Sequence, residues 1–303
     1  MEFLYFLEGI RTPAVDRIML LVTQLGEETA FLVAALILFW CIDKRHGYYL
    51  LSVGFIGTLA NQFMKLLFRI PRPWVLDSNF TILEQAREAA SGYSFPSGHT
   101  QSAVGTFGVI ARISRKRWIR ITAIILAVLV PFSRMYVGVH TPLDVLVAAA
   151  MAVFLIFVIH PVIYGKDGKH IPALLCVMTA AVSAFMCFVY LWPFPSDIDQ
   201  HNLASGIKNA HTLLGALLGF LVVYYVDERK LHFTTRAVWW AQLLKIAGGL
   251  ALVLAVKSGL KVPLNFLFGE SVGRSVRYFL VVLAAGILWP MTFGFFSRLG
   301  NAK

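Results

Sequence analysis

Charge is scarce in this chain. Only 14% of its 303 residues are Asp, Glu, Lys or Arg, against about 25% in an ordinary soluble domain. Cysteine is scarce too, and Cys41, Cys176 and Cys187 all lie inside apolar runs. That excludes a disulfide framework and a CxxC metal site, leaving three small packing residues. No low-complexity tract and no internal repeat is present, which excludes a disordered chain and a solenoid. The opening MEFLYFLEGIRTP carries Glu2 and Glu8 and lacks a basic start, so it is not read as a signal peptide. No basic stretch interleaved with aromatics occurs in a polar segment. The net charge of +11 is therefore not read as nucleic-acid binding.

What the chain has in abundance is apolar surface. Hydrophobic residues make up 58% of it and the mean hydropathy is +0.72. Nine apolar stretches are long enough to span a bilayer, or nearly so: 29–43, 47–68, 98–114, 118–134, 142–164, 171–192, 208–226, 237–257 and 275–297. Residues 1–26 alternate apolar and polar groups at helical spacing and are expected to form a helix lying in the membrane interface. The expected fold is all-α: a polytopic transmembrane helix bundle of about nine spans plus this N-terminal interfacial helix.

Loop charge orients the bundle. The segments DKRHG, RISRKRWIR, YGKDGKH and DERKLHFTTR follow the first, third, fifth and seventh stretches. By the positive-inside rule they are cytoplasmic. The loops 69–97, 135–141, 193–207 and 258–274 then face outwards.

Three segments on the expected outer side concentrate ionisable groups at one membrane level, where such groups are costly and mark functional sites. The first runs from Lys65 to Arg72 and Pro73. The second is Phe95-Pro96-Ser97-Gly98-His99. The third runs from Ser133-Arg134 through His140 to Asp144. Three cations facing one spot call for a multiply charged anion, and guanidinium forks suit phosphate oxygens. Ser97, Gly98 and His99 open a helix, whose backbone N–H groups bind anions and where glycine allows close approach. His140 has Asp144 one helical turn on, so a carboxylate can fix its tautomer and leave the other ring nitrogen to attack. His99 has no nearby acid, which suits a general acid. Thr141-Pro142-Leu143-Asp144 also reads as a helix-capping box, a role that can coexist with the catalytic one.

This pattern, K-x6-R-P, P-S-G-H and S-R-x5-H-x3-D, resembles the signature of the type 2 phosphatidic acid phosphatase superfamily. Every motif position is matched, over about residues 60–145. The resemblance implies that His140 is a nucleophile forming a phosphohistidine, oriented by Asp144, and that His99 protonates the leaving oxygen. It implies that Lys65, Arg72, Ser97, Gly98 and Arg134 hold the phosphate, with no metal and no cofactor required. Many lipid phosphatases of that superfamily have six spans, whereas nine are read here.

Other polar residues are set aside. Asp77, Glu84 and Glu88 read as solvated charge in a loop with a short amphipathic helix. Asp197, Asp199, His201 and His211 read as a solvated outer loop without diagnostic metal spacing. Lys245, inside an apolar stretch, is read either as functional or as a snorkelling or inter-helix contact. Gly215 and Gly219 form a GxxxG expected at a helix interface.

The division expected is a catalytic core over 1–165 and an accessory transmembrane bundle over 166–303. The expected protein is a membrane phosphatase acting on a lipid phosphate or pyrophosphate at the outer face, in a bacterial plasma membrane. Candidate substrates are phosphatidate, phosphatidylglycerol phosphate, undecaprenyl pyrophosphate and sphingoid phosphates. Alternatives are a soluble sugar phosphate as substrate, phosphotransfer to a lipid acceptor, and transport.

Overall fold

The computed structural model describes residues 1–90 and 92–299, and among them no strand occurs. Helices α1 (Glu2–Gly9), α2 (Pro13–Gln24) and α3 (Glu28–Ile37) open the chain, α3 running on into a π-helical turn at Leu38–Ile42. Then come α4 (Lys44–Phe68), the single turn α5 (Pro73–Leu76), α6 (Gly98–Ile113), α7 (Arg117–Tyr136) and α8 (Pro142–Tyr164). The second half holds α9 (Ile171–Leu191), α10 (Gln200–Val226), α11 (Trp239–Gly259), α12 (Lys261–Leu283) and α13 (Phe293–Arg298).

Seven of these segments are long and apolar enough to cross a bilayer, or eight if the pair Pro13–Gln24 and Glu28–Ile42, bent by 52°, counts as one span. Nine stretches were expected. The difference lies in α6, whose 16 residues rise only about 24 Å, short of the roughly 30 Å hydrocarbon core.

Three boundaries also differ. The expected single helix over 1–26 is two helices. Thr12 caps α2 by accepting from Val15 N, and Pro13 at the first helical position ends any continuation from α1. The expected outer loop 258–274 is mostly helical, broken at Gly269 (φ 76°). The expected amphipathic helix of the 74–95 loop is only short 3-10 turns at Glu84–Ala86 and Glu88–Ala90.

The chain forms two compact units. The first comprises Met1–Ala34, Leu50–His160 and Phe194–Gly206. In it α7 packs against α6, α2 and α1. Val15, Met19 and Leu20 of α2, with Trp74 and Leu83, cover a core of Ala86, Ala90, Tyr136, Val137 and Val139. Leu4 of α1 packs with Phe80 and Ile82. The N-terminal helices thus clamp the 74–90 loop onto the turn after α7.

Arg11 fastens that clamp, donating to Tyr136 O (3.1 Å) and Thr81 O (2.9 Å). The turn has φ 87° at Gly138, and a Cβ there would stand 2.8 Å from Arg11 Nη2. Only glycine meets both demands without strain. Tyr136 OH donates to Asp16 Oδ1 at 2.8 Å, and Tyr5 OH to Asp77 Oδ2 at 2.8 Å.

The second unit comprises Ala35–Tyr49, Pro161–Pro193 and Ile207–Lys303. Gly215 lies against the Ser275 backbone and Gly219 against Phe279 and Val282, so the GxxxG is a helix interface, as expected. Lys245 is fully buried and donates to Trp40 O (2.8 Å) and Thr235 O (3.1 Å), with its ammonium 4.0 Å from the Phe293 ring. It is an inter-helix contact. His211, expected in a solvated loop, is instead buried inside α10, within bonding distance of Tyr190 OH (2.8 Å) and Ser275 Oγ (2.9 Å).

Candidate active site

The three segments converge within the first unit. Asp144 sits in the first turn of α8 and is 1% exposed. Its Oδ2 accepts from Thr141 N at 2.8 Å, while Asp144 N donates to Thr141 Oγ1 at 3.3 Å. The capping box therefore exists, and it aims the carboxylate. The same Oδ2 lies 3.4 Å from His140 Nδ1 and accepts a short bond from Ser94 Oγ, at 2.5 Å. Ser94 Oγ is itself 3.4 Å from His140 Nδ1.

Arg72 Nη1 lies 2.9 Å from His140 Nε2 and 3.5 Å from its Nδ1, and donates to Val139 O at 2.9 Å. A guanidinium only donates, and its nearer contact is Nε2, while the acceptors Asp144 and Ser94 lie at Nδ1. This set of partners favours the lone pair on Nε2. The ring proton is then on Nδ1, facing Ser94 and Asp144. Burial first, then the positive fields of Arg72, Arg134 and Lys65, hold the His140 imidazole well below its ordinary range. His140 is therefore neutral at pH 7.

Arg72 is otherwise held by its Nε bond to Gly92 O at 2.9 Å, and Lys65 donates to Tyr93 O. Arg134, fully buried, donates through Nη1 to Thr23 Oγ1 at 2.7 Å. Its Nε and Nη2, and His99 Nε2, are buried without a hydrogen-bond partner among the described residues. A buried unpaired donor is costly unless a ligand satisfies it. Burial first, then the positive fields of Arg134, Arg72 and Lys65, push His99 down as well, to about 3, so it too is neutral in the free site.

Ser97 caps α6, its side chain accepting from Thr100 N at 3.3 Å, and its N–H donates to Asp144 O at 3.1 Å. That bond ties the second segment to the third. Gly26, in the bend between α2 and α3, sits against the start of α6: a Cβ there would come within 2.9 Å of His99 O. A Cβ at Gly98 would meet only Asn61 Oδ1, at 3.7 Å, an ordinary contact, so protein packing does not require this glycine.

All eight sequence-predicted residues belong to this one neighbourhood, and Arg69, Asp77, Glu84 and Glu88 do not. Arg69 is exposed and follows the end of α4 with φ 52°. Asp77 is bonded to Tyr5, and Glu84 to Arg87 at 2.7 Å.

Sequence reading missed four supports. Ser94 bridges the histidine and the carboxylate. Thr23 holds Arg134. Asn61 donates to Pro96 O at 3.2 Å, and its position one helical turn before Lys65 inside an apolar run was a readable signal. Asn202 Oδ1 accepts from Tyr93 N at 2.8 Å, while Asp199 Oδ2 accepts from Asn202 Nδ2 at 2.9 Å. The segment 193–207 thereby positions the backbone that holds Lys65 and Arg72.

A PAP2 superfamily model matches residues 44–168, and a model for the transmembrane extension of PAP2 superfamily phosphatases matches residues 211–302. Undecaprenyl-diphosphatase BcrC of Bacillus subtilis is 34% identical over 149 residues, covering 47% of this chain and 72% of that protein. Phosphatidylglycerophosphatase B of the same organism is 30% identical over 173 residues, covering 53% of this chain and 79% of its own. Sphingosine-1-phosphate phosphatase 1 of Mus musculus is 22% identical over 261 residues, covering 79% of this chain and 58% of that protein. No solved structure matches significantly.

Proposed function

The chain belongs to the PAP2 superfamily and is an integral-membrane phosphatase; from that premise we propose that it hydrolyses a lipid phosphate or lipid pyrophosphate through a phosphohistidine on His140. The observation that carries this reading is the polarity of the His140 ring. Its Nδ1 side faces Asp144 and Ser94, and its Nε2 lone pair faces the Arg72 guanidinium.

The phosphoryl oxygens of the substrate take the donors of Arg72, Arg134 and Lys65 and the backbone N–H groups at Ser97–His99. Gly98, not required by packing, lets them approach. Arg72 then leaves Nε2 for a phosphate oxygen, and Nε2 attacks phosphorus. The negative charge of the bound substrate offsets the positive fields that depress His99, so His99 takes up a proton from solvent on binding. The bond from phosphorus to the leaving oxygen then breaks, and that oxygen takes the His99 proton. The imidazolium formed is stabilised by Asp144. In the second half-reaction His99 removes a proton from water. The hydroxide attacks the phosphohistidine, the N–P bond breaks, phosphate leaves and the electron pair returns to Nε2.

Loop charge supports an extracytoplasmic site in a bacterial plasma membrane. Residues 1–165 are the catalytic core of the reading, and 166–303 the accessory bundle. The names of the relatives favour prenyl pyrophosphates, phosphatidylglycerol phosphate and sphingoid phosphates over sugar phosphates.

The test is phosphate release by the detergent-purified protein with EDTA present. Undecaprenyl pyrophosphate, phosphatidylglycerol phosphate, phosphatidate, sphingosine 1-phosphate and glucose 6-phosphate are supplied in parallel, with His140→Ala as control. Release from a lipid substrate that vanishes in the variant supports the reading. Faster release from glucose 6-phosphate overturns the lipid assignment, and release that persists in the variant overturns the nucleophile.

A further inference from the structure

The second unit contains a cavity of about 470 Å³ that no step of hydrolysis uses. Its wall comes from three separate segments: the start of α4, the turn before α9, and the chain between α10 and α11. These are three of the four Lys/Arg-rich loops that the charge pattern places in the cytoplasm.

Four cations line the cavity, Lys44, Arg45, Lys169 and Arg236, against two carboxylates, Asp43 and Glu228. The carboxylates and cations do not simply cancel. Asp43 Oδ1 accepts from Arg45 N at 2.7 Å and is spent as a helix cap. Lys44 is spent too, on Asp227 at 2.6 Å and over the Phe233 ring at 3.9 Å. Lys169 and Arg236 are exposed and make no ion pair among the described residues. The N-termini of α4 and α9, at Lys44 and Ile171, both border the space, and their aligned N–H dipoles add positive potential.

A further observation is independent of charge. Tyr48 lines the cavity and is 4% exposed, and its buried hydroxyl has no hydrogen-bond partner among the described residues. The ring is wedged among Phe39, Phe220 and Tyr224, at centroid distances of 5.5, 4.9 and 5.5 Å. A fixed hydroxyl left without a partner is costly to bury and is a pre-placed donor for an oxyanion. A cation is a poor occupant, because Glu228 is the one lining carboxylate not already engaged.

We propose that this cavity is a second anion site, binding a phosphate or diphosphate group through Arg236, Lys169 and the Tyr48 hydroxyl. The group belongs either to a soluble phosphate compound or to a lipid headgroup, both of which present the same tetrahedral oxyanion.

The test is hydrogen–deuterium exchange on the full-length protein, which reads this site separately from the catalytic one. Inorganic pyrophosphate is titrated in detergent at ionic strength matched with sodium chloride. In a second arm the protein is placed in phosphatidylcholine nanodiscs with and without phosphatidate. Protection of the backbone at 165–171 and 232–236 in the first arm assigns a soluble anion. Protection only in the phosphatidate nanodiscs assigns a headgroup.

The variant Tyr48→Phe keeps the ring packing and removes only the hydroxyl, and it weakens the midpoint about tenfold. Lys169→Ala with Arg236→Ala abolishes protection while hydrolysis by the catalytic site continues. Absence of protection in both arms, or protection unchanged in both variants, overturns the proposal.

Discussion

Arg72 Nη1 lies 2.9 Å from His140 Nε2, the nitrogen that would form the bond to phosphorus. The guanidinium at Nε2 and the Asp144 and Ser94 oxygens at Nδ1 together favour one tautomer of the free enzyme. On binding, the same fork transfers from the imidazole to the phosphate. A lysine in its place would offer a point charge without the fork. Arg72→Lys is expected to lower kcat/KM by about 10²-fold and Arg72→Ala by about 10³-fold, measured as initial rates of phosphate release.

Ser94 is the residue that its local sequence least advertises. Its hydroxyl donates to Asp144 at 2.5 Å, so Ser94→Ala leaves the carboxylate less firmly aimed at His140. A fall in kcat of about tenfold with KM nearly unchanged is expected. An equal change in KM would instead place Ser94 in substrate binding.

Asp144 has two roles that a pair of variants separates. Asp144→Ala loses the cap on α8 as well as the charge, and lowers stability by about 1 kcal/mol. Asp144→Asn keeps an acceptor for Thr141 N but cannot stabilise the imidazolium. Its kcat falls by about 10²- to 10⁴-fold with thermal stability nearly intact. Thermal unfolding in detergent read beside turnover decides whether the roles part in this way.

The buried His140 predicts a pH effect of definite sign. Its folded pKa is depressed below the unfolded value of about 6.5. Below pH 6.5 the unfolded chain takes up a proton that the native site refuses. The stabilisation is thus full above that pH and is lost as pH falls through it towards the folded value. His99, lowered to about 3, contributes with the same sign. Melting temperature should drop between pH 7 and pH 5, and His140→Gln should remove part of that slope. An unchanged slope would contradict the neutral imidazole.

The N-terminal brace gives a test remote from the chemistry. Gly138→Ala forces a Cβ into the left-handed region and towards Arg11. Destabilisation of about 1–3 kcal/mol is expected, with reduced kcat, because the turn that carries His140 shifts. Arg11→Ala should reproduce part of the loss.

Membrane residence and the three phosphatase segments were legible in the sequence alone, because both are local properties. Apolar run length decides whether a helix can span, and the motif spacing puts Asp144 one helical turn from His140 and gives α6 its cap whatever surrounds them. The span count was less legible. Apolarity marks 98–114 as a stretch, but only the folded helix shows how short it is and that its first turn belongs to the site.

The remaining features rest on partners far apart in the chain. Thr23 meets Arg134 across 111 positions, Arg11 meets Tyr136 across 125, and Asn202 meets Tyr93 across 109. No periodicity or propensity encodes such pairs, since each depends on how helices pack. The tertiary structure also decided that Ser94 stands between His140 and Asp144. It decided as well that Tyr48, Lys169 and Arg236, from three separate segments, share one cavity.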